Sequence, residues 1–275
     1  MAPAFELAGG SVAGRDHRAA GRNNQDAFRM AFGKGRIAAV VCDGCGSGAK
    51  SEIGAEIGAF ALATELADVG DVRQALARVM ETLALLLCNL QGDRWRLMSE
   101  YFLFTVVGTI IDAQTATFFS IGDGMVVVNG ERIRIGSFPD NAPPYLGYEL
   151  PMKASDFPPL RHLVLHRVLA TEQLSSFLLA TDGIDDLIAA KGRILPGRTD
   201  TVESIESFWQ EDRFFKNPDA MRRRLTLIGR EHVAVATDGK SLVRSPGFLR
   251  DDTTIVTGRR VAHVCDLFGE PTGAP

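Results

Sequence analysis

Cysteine is scarce in this chain, and what is there is poorly spaced for the chemistries cysteine usually supports. Cys42, Cys45, Cys88 and Cys265 are the only four in 275 residues, too few for a disulfide framework. Cys42-x-x-Cys45 has neither the second pair that a zinc site would want nor a thioredoxin-like helix start. Neither residue is followed six positions later by an arginine, so no Cys-x5-Arg nucleophile loop is present. Cys42 reads instead as the last apolar residue of a strand. Long apolar runs are also missing. Stretches such as Leu83 to Leu87 are far too short to span a bilayer. The N-terminus lacks the charged-then-apolar pattern of a secretory signal, so a cytoplasmic protein without membrane association is expected. Excess positive charge is absent too: 30 Lys+Arg against 34 Asp+Glu leave a net charge of -4. Arg222-Arg223-Arg224 is short and reads as a solvated helix face. A general nucleic-acid binder is therefore not expected. No internal repeat, low-complexity tract or Pro/Gly-rich linker divides the chain. Residues 1–275 are expected to form one domain, with 190–235 as a helical insertion, and 45% hydrophobic residues suffice for a sizeable core.

What is present is a set of aspartates at the ends of strand-like runs. They occur in Asn24-Gln25-Asp26, Val41-Cys42-Asp43-Gly44, Ile121-Gly122-Asp123-Gly124, Ala180-Thr181-Asp182-Gly183 and Asp251-Asp252-Thr253-Thr254. Carboxylates this far apart in sequence either meet in space or are unrelated. If they meet, their mutual repulsion is relieved mainly by hard cations. That points to magnesium or manganese and to phosphate chemistry.

The pattern around these blocks places them. Strands are expected over Phe5 to Val12, Ala27 to Phe32 and Arg36 to Cys42, the last two separated by Gly33-Lys34-Gly35. Ile37 to Cys42 is apolar throughout, as in a strand buried on both faces. A loop over Gly44 to Gly48 leads into a helix from Ser51 to Leu66. Asp71 reads as the N-cap of a second helix, with Val72, Leu76, Val79, Leu83, Leu86, Leu87 and Leu90 at helical spacing. Further strands are expected over Phe102 to Asp112, Thr115 to Ile121, Met125 to Asn129, Arg132 to Ile135, Gln173 to Ala180 and Thr253 to Arg259. Turns fall at Asp112-Ala113-Gln114 and Asn129-Gly130-Glu131. Asn141 to Pro151 reads as a loop or flap, Ile184 to Ala190 as a helix start, and Thr201 to Leu227 as mostly helical. Helices follow runs of strands without strict alternation, which favours an α+β layered fold over a doubly wound parallel sheet.

In this order the blocks resemble the metal-dependent serine/threonine phosphatases of the protein phosphatase 2C family, in a bacterial-type branch. The matching residues are Asn24-Gln25-Asp26-Ala27, Asp43-Gly44-Cys45-Gly46-Ser47-Gly48, Gly108-Thr109, Ile121-Gly122-Asp123-Gly124, Ala180-Thr181-Asp182-Gly183-Ile184 and Asp251-Asp252-Thr253-Thr254-Ile255-Val256. The resemblance implies a four-layer α-β-β-α sandwich, two central antiparallel sheets flanked by helices. It implies a phosphoprotein phosphatase for phosphoserine and phosphothreonine that works through a water activated by two metal ions. Asp43 would bridge the metals, the Gly44 carbonyl would ligate one, and Asp182 and Asp251 would hold the other. Asp26 would act through metal-bound water, and Asp123 would serve a third ion. The cofactor would be Mn²⁺ or Mg²⁺, as two or three ions. The partner would be a phosphorylated protein, opposing a Ser/Thr kinase. The sequence departs from the common pattern in three places: Cys45 replaces a frequent His, Gly21 stands where an arginine is usual, and Gly124 follows Gly122-Asp123. Arg22, Arg18 or His17 would have to take over the arginine's phosphate contact.

Carboxylates suit Mg²⁺ and Mn²⁺ because hard ions prefer oxygen, and a two-metal site needs no nucleophilic side chain. A general acid for the leaving oxygen would come from His17, His162, His166, His232 or His263, and only His17 lies near a block. Ala-Thr-Asp-Gly also occurs at Asp238, but only Asp182 follows an apolar strand, so Asp182 is assigned to metal and Asp238 to solvent. Asp185, Asp186 and Asp252 receive no role. Two other readings stand beside this one. Gly44 to Ser51 resembles a phosphate-cradling glycine loop, with Ala49 in place of the second P-loop glycine; Gly44, Gly46 and Ala49 also fit the looser G-x-G-x-x-A. A non-catalytic scaffold that binds metal and recognises a phosphoprotein is the other.

Overall fold

The computed structural model describes residues 5–136, 138–139, 142–150, 160–237 and 239–261. Two five-stranded antiparallel sheets face each other. In one the order is β1 (Phe5–Val12), β12 (Thr253–Arg260), β9 (Ser176–Ala180), β6 (Gly124–Val128), β7 (Glu131–Ile135). In the other it is β2 (Asp26–Gly33), β3 (Arg36–Asp43), β4 (Val106–Ile111), β5 (Thr115–Ile121), β8 (Val164–Ala170). Helices α2 (Ser51–Val69) and α3 (Val72–Asn89) cover the outer face of the second sheet, and α5 (Ile184–Ala190) to α8 (Ala220–Ile228) cover the first. This is the expected α-β-β-α sandwich.

Strand β3 shows why its sequence is apolar at every position. Side chains alternate across a strand, so Ile37, Ala39 and Val41 enter the core between the sheets. Ala38, Val40 and Cys42 pack under α2 and α3. Burial on both faces leaves no place for a polar residue. Strand β9 repeats the pattern, with Phe177 and Leu179 facing inward and Leu178 and Ala180 facing the helices. Asp71 caps α3 by accepting from the Gln74 amide at 2.7 Å. Asn129 and Gly130 turn β6 into β7 with φ of 52° and 84°, the positive pair that a two-residue hairpin turn matching strand twist requires.

Several expectations are corrected. The strand expected from Phe102 begins at Val106, and a helix, α4 (Arg94–Tyr101), precedes it. Phe102, Leu103 and Phe104 are buried, so their apolar run reflects burial and not strand geometry. The start of α4 is signalled by Asp93, which accepts from the Arg96 amide at 2.8 Å. The strand expected from Gln173 begins at Ser176, after a short 3-10 turn at Thr171–Gln173. Thr201 to Leu227 is three short helices, α6 (Ser207–Gln210), α7 (Arg213–Lys216) and α8. The residue before Pro218, Asn217, is extended, as a preproline residue tends to be. Strand β8 and the hairpin β10 (His232–Val235) and β11 (Leu242–Ser245) carry mixed or exposed side chains and so no clean alternation. Asn141 and Pro151, the ends of the expected flap, lie outside the described residues, as do Asp238, His263 and Cys265. Among the described residues no helix is long and apolar enough to cross a membrane.

Candidate active site

The five motif aspartates all come to the same edge of the sandwich. Asp26 opens β2 and Asp43 closes β3, directly opposite each other in the antiparallel register. Asp123 sits in the turn between β5 and β6, Asp182 follows β9, and Asp251 precedes β12. Ala180 of β9 pairs with Met125 of β6 on one side and Ile255 of β12 on the other, so those three strands end together. The α1 helix (Arg15–Ala19) closes the site from the side. It is tied to the segment before Asp251 by Arg15 N to Leu249 O and Asp16 N to Arg250 O, both 3.1 Å.

A cavity of about 150 Å³ lies at this edge, walled by Asp43, Gly44, Asp123, Asp182, Asp251 and His17, with Cys45 and Tyr145 on the far side. A second cleft of about 360 Å³ opens beside it over Asp182, Asp185, Asp186, Arg250 and Asp251. Asp26 lies below the floor, 4% exposed.

The electrostatics are those of negative charge confined in a small volume. Burial raises Asp43 well above the usual carboxylate range, and Asp26, Asp182, Asp123 and Asp251 push it further. Asp182 is raised to about 6, first by burial and then by Asp251 and Asp123, with a hydrogen bond to Asp43 offsetting part of the rise. Burial also raises Asp123 and Asp251. Asp26 is raised well above its ordinary value by burial and then by Asp252. Its Oδ2 accepts from Thr181 Oγ1 at 2.7 Å, while its Oδ1 is buried without a partner. Like charges directly opposite on adjacent strands are destabilising, and an orphaned buried oxygen adds to that cost. An all-oxygen donor set with this much uncompensated charge fits hard divalent cations. His17, Asp251 and Asp252 also place one ligand atom each within 4.8 Å of one another.

Asp252, which the sequence left without a role, organises the site. Its Oδ1 accepts from Gly14 N at 2.7 Å and its Oδ2 from Gln25 N at 2.6 Å. His17 Nδ1 lies 2.8 Å from Oδ2, off the line of a well-formed hydrogen bond. One buried carboxylate thus joins α1, the start of β2 and the segment leading into β12. Asp186 does similar work from outside: its Oδ2 accepts from Arg250 N at 2.6 Å. Asp185 pairs with Arg134. Gly183 is required by close approach, because a Cβ there would sit 2.0 Å from the Asp252 carbonyl oxygen. A doubled Asp-Asp is visible in the sequence, but the inward bonds of Asp252 to Gly14 and Gln25 depend on how distant segments pack.

The remaining candidates separate clearly. Among the described histidines only His17 lines the cavity. His162 pairs with Glu149 at 2.5 Å, His166 Nε2 bonds Ser120 Oγ at 2.8 Å, and His232 lies on β10. Arg22 reaches the carbonyls of Gly46 and, at 3.1 Å, Gly48, and is not among the residues walling the cleft. Arg18 donates to the Gly229 carbonyl. The glycine loop is closed on itself: Ser51 Oγ donates to Cys45 O at 2.9 Å and accepts from Gln25 Nε2 at 2.6 Å. Lys50 lies over the Tyr101 ring, 5.8 Å from its centroid. Ser51 and Lys50 are therefore engaged elsewhere than at a nucleotide. Cys45 is half-buried; burial raises its thiol, but bonds from Ser47, Tyr145 and loop amides outweigh that and leave it below its ordinary value.

A protein-family model described as protein phosphatase 2C matches residues 13–216. No curated protein matches the chain. Among solved structures, a bacterial serine phosphatase superposes with a TM-score of 0.54 at 12% identity, over 94% of this chain and 98% of that one. The serine/threonine phosphatase Stp1 from Staphylococcus aureus gives 0.52 at 12% identity, covering 94% and 96%. The catalytic domain of the serine/threonine protein phosphatase PstP, solved with two manganese ions, gives 0.50 at 15% identity, covering 94% and 99%.

Proposed function

The chain belongs to the protein phosphatase 2C family, and from that premise we propose that it is a metal-dependent phosphatase of phosphoserine and phosphothreonine in proteins, opposing a Ser/Thr kinase. The observation that carries this is the convergence of Asp43, Asp123, Asp182 and Asp251 on one cavity, all raised by burial, with Asp43 and Asp182 raised further by the others. Asp43, the Gly44 carbonyl, Asp182 and Asp251 would hold two Mn²⁺ or Mg²⁺ ions, with Asp123 toward a third. When bound, such ions supply charge neutralisation for the phosphoryl oxygens and a water acidic enough to act as nucleophile.

The protein's own residues do the rest. Asp26, fixed by Thr181 Oγ1 and opposite Asp43 in the strand register, would support the cation site from behind without itself facing the cavity. His17 borders both openings of the site. With Nδ1 toward buried Asp252, its other ring nitrogen is the one left to donate a proton to the leaving serine or threonine oxygen or to contact phosphate. Arg22 acts at one remove, holding the carbonyls of Gly46 and Gly48, the first of which walls the cavity.

The test is hydrolysis of p-nitrophenyl phosphate and of a phosphothreonine peptide with Mn²⁺, with Mg²⁺ and with EDTA, for wild type and Asp182→Asn. Metal-dependent turnover that disappears in the variant is expected. Absence of turnover with either ion, together with calorimetric Mn²⁺ binding, would replace this reading with a non-catalytic phosphoprotein-binding scaffold.

A further inference from the structure

An arginine-lined groove leads away from the acidic centre on the outer side of α1. The cleft over Asp182 and Asp251 shares Arg250 and Asp186 with a cavity of about 520 Å³ that also contains Arg15, Arg193 and Arg244. That cavity in turn shares Arg15 and Arg244 with another of about 660 Å³, which adds Arg18 and Arg230. The groove is thus continuous with the candidate active site. Along its two cavities six arginines (15, 18, 193, 230, 244 and 250) meet two carboxylates, Asp186 and Glu231, while Asp16, 3.3 Å from Arg15, lines the neighbouring cleft. This local excess of positive charge stands on a chain whose net charge is -4.

The carboxylates present do not use up the cationic surface. Asp186 Oδ2 is occupied by the backbone amides of Arg250 and Asp251. Arg244 pairs with Glu231 at 3.0 Å but keeps 70% side-chain exposure, and Arg250 approaches Asp16 only to 3.7 Å at 65% exposure. Such exposed pairs are weak and exchange readily for an incoming carboxylate. Arg193 lies over the Phe248 ring, 4.2 Å from its centroid, which holds its guanidinium in a defined plane. Ile194, Pro196, Pro246 and Phe248 give the groove an apolar floor. Guanidinium groups over an apolar floor suit an extended polypeptide with acidic side chains, because the planar fork matches a carboxylate.

We propose that this groove docks an acidic stretch of the substrate protein beside the phosphorylated residue. The proposal rests on the phosphatase reading above and adds the substrate class to it. The neighbouring active-site edge, crowded with Asp182, Asp185, Asp186 and Asp251, would repel a phosphodiester backbone running along the groove, whereas a peptide need present only its single phosphate there.

The test uses the full chain with Mn²⁺ and three phosphothreonine peptides whose flanks are acidic, neutral or basic. A parallel assay follows p-nitrophenyl phosphate, which is too small to reach the groove. The acidic peptide is expected to show about tenfold higher kcat/KM than the neutral one at low ionic strength, with the advantage shrinking as salt shortens the range of charge interactions. Arg193→Glu/Arg244→Glu is expected to abolish that preference and leave p-nitrophenyl phosphate turnover unchanged; Arg193→Gln/Arg244→Gln gives a milder version with an intermediate loss. Equal kcat/KM for acidic and neutral peptides, or a preference that survives charge reversal, overturns the groove while leaving the phosphatase reading intact. If p-nitrophenyl phosphate is not hydrolysed at all, fluorescence anisotropy of the labelled acidic peptide decides: binding lost in the double variant supports the groove without catalysis, and no binding overturns it. Tighter binding of a labelled oligonucleotide than of the acidic peptide also overturns it.

Discussion

Asp182→Asn is expected to make the metal-free protein more stable and, at the same time, insensitive to metal. Folding raises the Asp182 carboxyl from 3.8 to about 6, so the folded protein holds this proton more tightly than the unfolded chain does. Metal-free stability therefore falls as pH rises from about 4 through about 6, and the full cost is present above that. At 1.36 kcal/mol per pKa unit the cost is about 3 kcal/mol at neutral pH. The asparagine carries no charge and removes it. For a chain of this size the gain corresponds to a melting temperature higher by at most about 6–12 °C, reduced by whatever charge solvent already screens at this partly exposed side chain. Wild type is expected to recover the same stability from Mn²⁺, since a ligand at 100 times its Kd contributes about 2.7 kcal/mol. The assay is thermal unfolding in EDTA and in Mn²⁺ at pH 5 and pH 7.5. At pH 5 wild-type Asp182 is largely protonated and the difference between the proteins should contract. A variant that melts lower than wild type in EDTA at pH 7.5, or that still gains as much from Mn²⁺, would refute the claim that this cluster stores repulsion which cations relieve.

Three further outcomes follow from the same geometry. His17→Ala should lower kcat on a phosphothreonine peptide by about 10²-fold but affect p-nitrophenyl phosphate much less, because that leaving group needs no proton; equal losses on both substrates would remove the general-acid role. Gly183→Ala forces a Cβ to within 2.0 Å of the Asp252 carbonyl oxygen, so the segment carrying Asp251 must move. Calorimetry should then show Mn²⁺ affinity weakened by about 10–100-fold, as for other changes behind metal ligands, and an unchanged Kd would contradict it. Thr181→Val strips Asp26 Oδ2 of its 2.7 Å donor and the Thr254 amide of its 3.1 Å acceptor. Each buried loss costs about 1–3 kcal/mol, measurable as a lower urea midpoint in EDTA, and a variant as stable as wild type would show that water replaces both bonds.

The site was legible before the fold was. Asp-Gly and Thr-Asp-Gly at the ends of apolar runs can be recognised because a strand buried on both faces permits no other polar position. A charge that appears there must sit at the strand's end, as Asp43 does after Ile37 to Cys42. The layered sheets were legible for the same reason, from the two-sided burial of β3 and the helical spacing of α3. What the residues left open was the contribution of weakly patterned segments. Strand β8 and the β10–β11 hairpin have exposed or mixed faces, so hydrophobic period carries no information about them. Phe102 to Phe104 misled in the opposite direction, since burial in an irregular segment looks like a strand.

Sequence by itself determined which side chains are chemically able to hold a hard cation, and that a family with this order of motifs is the one to which the chain belongs. The motif order already singled out Asp251 over Asp252 for the cleft; tertiary structure alone decided what Asp252 does. Asp251 lines the cleft, while Asp252, turned inward, joins Gly14, Gln25 and His17. It also turned Arg22 to the Gly46–Gly48 loop and gathered arginines from positions 15 to 250 into one groove. Side-chain direction in a strand is set locally by alternation, but the partner met at the end of that direction is set by how distant strands and helices pack.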